Sequence, residues 1–233
     1  MRLASVLLVA VLMSTCAISG TFAKYVTKGT ATSTARVAKF GVKVAADGAL
    51  FSTTYATKNE ADIAEISANS VISSDDKNVV APGTSGSLTE TMITGKPEVA
   101  VRVTNEATVT LNDKWFVEGT FYCPIIIKVN DTTIDGKDYS DANSFASAVK
   151  TAIDGVTAEY EPNTDLGNLP AEAAKGLSVS WEWPFEINNE DGSVNADIDK
   201  KDTALGDAAA GIPDGAQAAT ISINVTTTVT QID

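Results

Sequence analysis

The sequence has no histidine and only two cysteines, Cys16 and Cys123. Without imidazole there is no Ser-His-Asp or Cys-His catalysis, no His-ligated zinc and no imidazole switch titrating near neutrality. Basic residues are also scarce. Seventeen Lys+Arg stand against 30 Asp+Glu, a net charge of −13, which argues against a non-specific nucleic-acid binder and against docking on anionic lipid. Aromatics make up 6% of the chain. What is abundant is Thr, Val and Ile, 66 residues together, and these side chains fit pleated strands. With 44% hydrophobic residues, the chain can fill one substantial core.

The N-terminus opens with Arg2, followed by an eleven-residue apolar stretch from Leu3 to Met13. That stretch is shorter than the ~20 residues a bilayer span requires. Thr21-Phe22-Ala23 then has the small-x-small form of a signal-peptidase site. Residues 1–23 read as a secretory signal peptide cut after Ala23, so the product is exported. Cys16 follows Met13-Ser14-Thr15, whereas a lipobox prefers Leu three places before its cysteine and Gly or Ala one place before. Once the signal is lost Cys123 is alone, so no intramolecular disulfide is available and the domain relies on its core. Its setting, Phe121-Tyr122-Cys123-Pro124-Ile125, reads as that of a buried small hydrophobe.

Period-two alternation recurs along the mature chain. Phe40, Val42 and Val44 alternate with Gly41, Lys43 and Ala45, and Val99, Val101 and Val103 with Ala100, Arg102 and Thr104. The strongest case runs from Leu177 through Val179, Trp181, Trp183 and Phe185 to Ile187. Pro184 within it predicts an edge or a bulge. Ile221, Ile223, Val225 and Val229 form a further apolar row near the C-terminus, and Ile125-Ile126-Ile127 reads as a central strand. Helix signals are few: 139–154 with Phe145, Val149 and Ile153 on one face, and shorter candidates at 170–175 and 202–210. Polar connectors are expected at 69–78, 161–168 and 188–202. The pattern predicts a mainly β protein, an antiparallel jelly-roll-like β-sandwich with short helical insertions over 37–233, preceded by an extended segment over 24–36.

Candidate chemistry is sparse. The oxygen-rich stretch Asn188–Asp199 suggests calcium. Placing Gly192 at the sixth position of an EF-hand, however, puts Ile187 and Ile198 at the first and twelfth, where neither can ligate. Another kind of oxygen-ligated site there, or a solvated turn, stays open. The 30 acids are scattered and read as a solubilising surface rather than as a paired-carboxylate site. No motif marks a Ser-Lys pair. Trp181 and Trp183 share a face by alternation and read as core. The sequence therefore names no catalytic, cofactor-binding or metal residue and calls for no cofactor.

Gly20-Thr21-Phe22-Ala23-Lys24-Tyr25 resembles the Gly-Thr-(Phe/Trp)-Ala-x-aromatic junction of proteins with SipW-type signal peptides. A strand over 38–44, the turn Pro82-Gly83 and a Val-rich strand over 98–104 follow in that family's order. Trp183-Pro184-Phe185-Glu186, 202–206 and 230–233 are similar to uncharacterised Firmicutes members of the same class. The chain thus resembles the TasA/camelysin-like secreted proteins. That resemblance implies a jelly-roll β-sandwich, processing at Thr21, Ala23 and Lys24 by a dedicated signal peptidase, and assembly into extracellular or biofilm-matrix fibres. In such fibres the freed N-terminal segment, here Lys24, Tyr25, Val26, Thr27, Thr30, Thr32 and Thr34, adds a strand to a neighbouring copy. The partners implied are copies of the chain itself, the signal peptidase and matrix or cell-surface components. Camelysin relatives are regarded as metalloproteases, an activity this histidine-free chain does not support.

Main-chain pairing needs an extended segment more than a precise motif, and 24–36 is Thr-rich and free of proline. The readings that remain are a structural fibre subunit, with 24–36 as donor, a monomeric surface binding module or adhesin, and, behind both, a camelysin-like protease or other hydrolase for which no residue is nominated. In the second, 24–36 is a flexible start or a strand of its own subunit. Replacing Ala23 with arginine is expected to leave the precursor membrane-associated in a secretion assay; normal release would show that the cut lies elsewhere.

Overall fold

The computed structural model describes residues 36–46, 49–56, 71–88, 91–170, 176–188, 193–211 and 218–232. The chain divides into two compact units, Met1–Val37 and Ala38–Asp233. The second holds every element described. In chain order these are β1 (Lys43–Ala46), β2 (Thr54–Tyr55), β3 (Val71–Ile72), β4 (Ser85–Leu88), β5 (Thr91–Thr94), β6 (Val101–Leu111), β7 (Phe116–Val117), β8 (Thr120–Phe121), β9 (Ile126–Val129), β10 (Thr132–Asp135), α1 (Ala142–Asp154), β11 (Ala158–Tyr160), β12 (Val179–Glu182), α2 (Ala196–Ala210) and β13 (Ile221–Gln231). The fold is mainly β and every strand pairing is antiparallel.

Two sheets carry the architecture. One has the order β10-β9-β12-β4 and the other β11-β6-β13, while β1-β5, β2-β3 and β7-β8 are two-stranded. In the first sheet, alternation sends Ile127, Val129, Val179 and Trp181 inward. In the second, Val101, Val103 and Ala107 are buried on β6, with Ile221, Ile223 and Val225 of β13 half-buried beside them. Residues of both sheets meet Phe145, Val149 and Ile153 of α1 in one core. Those three follow the i, i+4, i+8 spacing of a single helix face. Burying each is worth about 1.5–3 kcal/mol, more than the ~1 kcal/mol of the Asp141 cap that accepts from the Ser144 N–H. Packing therefore holds α1 in place more than its cap does.

The long alternating run at 177–187 gives a shorter strand than its pattern suggests. Leu177, Val179, Trp181 and Trp183 are buried, but Phe185 is exposed and β12 ends at Glu182. Of the edge or bulge that Pro184 predicts, the edge is not found: β12 lies between β9 and β4 and ends before the proline. The proline is tolerated because pairing has already stopped. Trp183 donates its N–H to the Thr84 carbonyl and accepts from Gly83 N–H at the Pro82-Gly83 turn, after which the chain leaves the sheet. At the other end of the chain, Phe40 and Val44 are exposed and β1 begins only at Lys43, so alternation at 40–45 buries no continuous face. The expected connector over 188–202 is helical from Ala196, because the Asn195 side chain accepts from Asp197 and Ile198 N–H and starts α2 six residues ahead of Asp202. Of the candidate helix at 170–175, residues 171–175 lie outside the described residues.

Glycine is required at position 86 for a reason of contact. Trp181, 2% exposed, donates its indole N–H to the Leu50 carbonyl at 2.5 Å. Gly86 sits opposite Trp181 in the β4–β12 register, and a Cβ there would run into the Leu50 oxygen and stand 2.7 Å from Trp181 Nε1. Gly86→Ala must displace backbone or break that hydrogen bond. Overpacking alone costs about 1–3 kcal/mol. A fall in unfolding free energy of that size, read as a lower urea midpoint at unchanged m-value, is the expected result; an unaltered midpoint would show that the loop around Leu50 yields freely.

Candidate functional site

The predicted processing and assembly residues, Thr21, Ala23, Lys24, Tyr25, Val26, Thr27, Thr30, Thr32 and Thr34, all lie outside the described residues. Of the Asn188–Asp199 stretch, 189–192 lie outside as well. Of the rest, Asn188 bridges to Val194, Asn195 N–H donates to the Ile187 carbonyl, Asn195 Oδ1 is used as the α2 cap, and 196–199 belong to α2. Among the described residues, no three His, Cys, Asp or Glu side chains gather as a metal site would require. No described helix is long and apolar enough to cross a membrane.

Trp115, Trp181 and Trp183 are all buried, so none offers an exposed aromatic platform. Cys123 is fully buried, and burial pushes its thiol up to about 12, far from a reactive thiolate. A shallow depression of about 350 Å³ on the outer face of the four-stranded sheet is lined by Ser85, Ser87, Lys128, Ser180 and Glu182 among others. Although Ser180 stands opposite Lys128 in register, that lysine is half-exposed and faces Glu182 at 3.5 Å. A general-base lysine needs a desolvated setting instead.

The feature with functional reach is the outer edge of β13. This strand pairs with β6 over all eleven residues, from Ile221 opposite Leu111 to Gln231 opposite Val101, and no described strand lies on its other side. The direction of its backbone groups follows from β6. Ala107 donates its N–H to Asp154 Oδ1 at 2.7 Å and accepts from Lys150 Nζ at 3.0 Å, so its polar groups point towards α1. Its register partner Val225 must then point its own groups away from β6, and so must Ile221, Ile223 and Val229 two and four residues away. Just outside the strand, even-numbered Asn112 and Ile232 continue the bonds across the pair, to the Thr220 and Ala100 carbonyls.

Edges of this kind are normally blunted by lysine, proline or a bulge. Residues 221–231 contain no charge, no proline and no glycine. Their even-numbered side chains, Ser222, Asn224, Thr226, Thr228 and Thr230, form an exposed hydroxyl- and amide-bearing face. Alternation in the sequence signals the strand, but its place at the edge follows only from the long-range pairing with β6.

A second feature escapes sequence reasoning because it unites residues 80 positions apart. Asp202, 8% exposed, accepts from Tyr122 Oη at 2.6 Å and from Trp183 Nε1 at 3.1 Å. These bonds tie α2 to the core, and Lys201 lies 5.5 Å from the Tyr122 ring centroid. Burial raises the Asp202 carboxyl above its ordinary value, against the lowering effect of both hydrogen bonds. Burial, then the Asp202 bond, also raises the Tyr122 hydroxyl. The cluster holds a helix to the core.

No protein-family model, no curated protein and no solved structure matches this chain.

Because the folded chain favours protonated Asp202, the stability this group lends is fully present below the unfolded carboxyl value, near ~3.9. It is lost as pH rises through the folded value. Asp202→Asn is therefore expected to flatten that pH dependence, with the wild-type advantage over the variant shrinking from pH 4 to pH 8 in denaturant titrations. A constant gap would show that Asp202 titrates normally.

Proposed function

We propose that this chain is an exported structural subunit that polymerises into extracellular matrix fibres. Residues 24–36 of one copy add as a strand to a neighbouring copy built on a jelly-roll plan. The single observation that carries the reading is the outer edge of β13, eleven residues long and without the charges or prolines that keep edges apart. Strand addition draws its affinity from main-chain hydrogen bonds, and Ile221, Ile223, Val225 and Val229 direct their N–H and C=O groups outward along that edge.

Charge supports the same reading. Residues 24–36 carry Lys24, Lys28 and Arg36 and no acid, while all 30 acids of the chain lie after residue 36. A basic segment is thus attracted to an acidic body, and attraction between unlike surfaces speeds encounter. A head-to-tail contact of this type does not close on itself, so it propagates as a filament.

Two purified forms test the proposal. The 24–233 form, concentrated in near-physiological salt, is expected to give regular filaments by negative-stain electron microscopy. The 37–233 form, which keeps the compact unit Ala38–Asp233, is expected to give none. Single particles from both, or filaments from both, would overturn strand addition by 24–36.

A further inference from the structure

We propose that two copies of this chain also pair β13 against β13, antiparallel about a two-fold axis near Ile223, in a closed dimer that withholds the edge from fibre growth. The pairing itself stands on the geometry of β13; its part in controlling assembly rests on the fibre reading above.

Three observations select a second β13 as the occupant. Firstly, Ile221, Ile223 and Val225 all point their backbone groups away from β6. An antiparallel dyad on Ile223 sets Ile221 opposite Val225 and Ile223 opposite itself. Outward groups then meet outward groups, and no register slip turns a side chain to the wrong face. Secondly, those three side chains are half-buried against the core of their own copy. Pairing continues one apolar row into the next, joining two three-stranded sheets into one of six strands. Thirdly, the chain carries a net charge of −13, yet residues 221–231 hold no charge. Two copies repel over most approaches, but this strand brings no like charges face to face.

The consequence follows from symmetry. An isologous contact uses the same patch on both partners and closes at two copies, whereas a head-to-tail contact leaves an edge for the next copy. A donor strand and a second β13 both need the outward groups of Ile221, Ile223 and Val225, so those residues cannot serve both at once. The closed pair is thus a reserve of subunits that strand addition must displace.

Charges introduced at two exposed positions test this. In the dyad Ser222 faces Asn224 of the other copy, and both side chains lie on the solvated face. The doubly substituted forms S222K/N224K and S222E/N224E place like charges directly opposite one another twice. Circular dichroism spectra are expected to match the unsubstituted form. In sedimentation equilibrium, 37–233 is expected to be a reversible dimer, and each variant alone to lose tenfold or more in dimer affinity. A one-to-one mixture of the two variants is expected to recover it.

A monomeric 37–233, or a dimer that both variants leave unchanged, would overturn the pairing. Variants that weaken but fail to recover on mixing would also overturn it, since the strands would then not meet in this register. Filaments from 24–233 alongside a monomeric 37–233 would sink the closed pair and leave the fibre reading standing. A dimeric 37–233 with no filaments from 24–233 would do the reverse.

Discussion

The fold depends on the need of β6 to satisfy both of its edges. A buried strand cannot leave N–H and C=O groups unpaired without a cost of about 1–3 kcal/mol each. One edge is met along its whole length by β13. The other is met by β11 for only three residues, Val101 to Val103, and α1 takes over where β11 ends. Asp154 accepts from Ala107 N–H, Lys150 donates to the Ala107 carbonyl, and Asn105 Nδ2 donates to the Val156 carbonyl. The Lys150–Asp154 pair at 2.6 Å fixes both groups and holds the Asp154 carboxyl below its ordinary value, the hydrogen bond from Lys150 being the main cause. The last turns of a helix thus stand in for a strand.

This arrangement commits the rest. Because α1 must lie along β6 to serve that edge, its apolar face is delivered to the core beside Ile127 and Val129. With α1 and β11 on one side of β6, β13 is left as the border of its sheet among the described residues. Further along the body, the Trp181 bond to Leu50 and the Asp202 bonds to Tyr122 and Trp183 fasten segments far apart in sequence to the four-stranded sheet. Indole and phenol groups supply both bulk and a directed donor at these joints, a large return from the few aromatics in the chain.

Much of this was legible in the residues. Phe145, Val149 and Ile153 marked α1 because helical spacing is a local property, and Ile221, Ile223 and Val225 marked β13 for the same reason at period two. Boundaries were less legible. The alternation to Ile187 continues past Pro184, but Trp183 is buried without being part of a strand and Phe185 is exposed, so apolar spacing marked neither the end of the strand nor the end of its buried face. The Asn195 cap was hidden because Asn also marks turns. The outer edge of β13 and the Asp202 cluster were illegible in principle. Each needs a contact between residues 80 or more positions apart, β13 with β6 and Asp202 with Tyr122, and no short window contains it.

Cys123 has a use that its chemistry as a ligand or nucleophile does not suggest. It is fully buried, with Gly136 packed so close that a Cβ there would stand 3.0 Å from its sulfur. A form beginning at Lys24 carries no other thiol. An alkylating reagent can then reach sulfur only when the core opens, so the labelling rate becomes a built-in clock of opening events. The clock needs no added probe, and it would read the proposed closed pairs and filaments in the same way as free subunits.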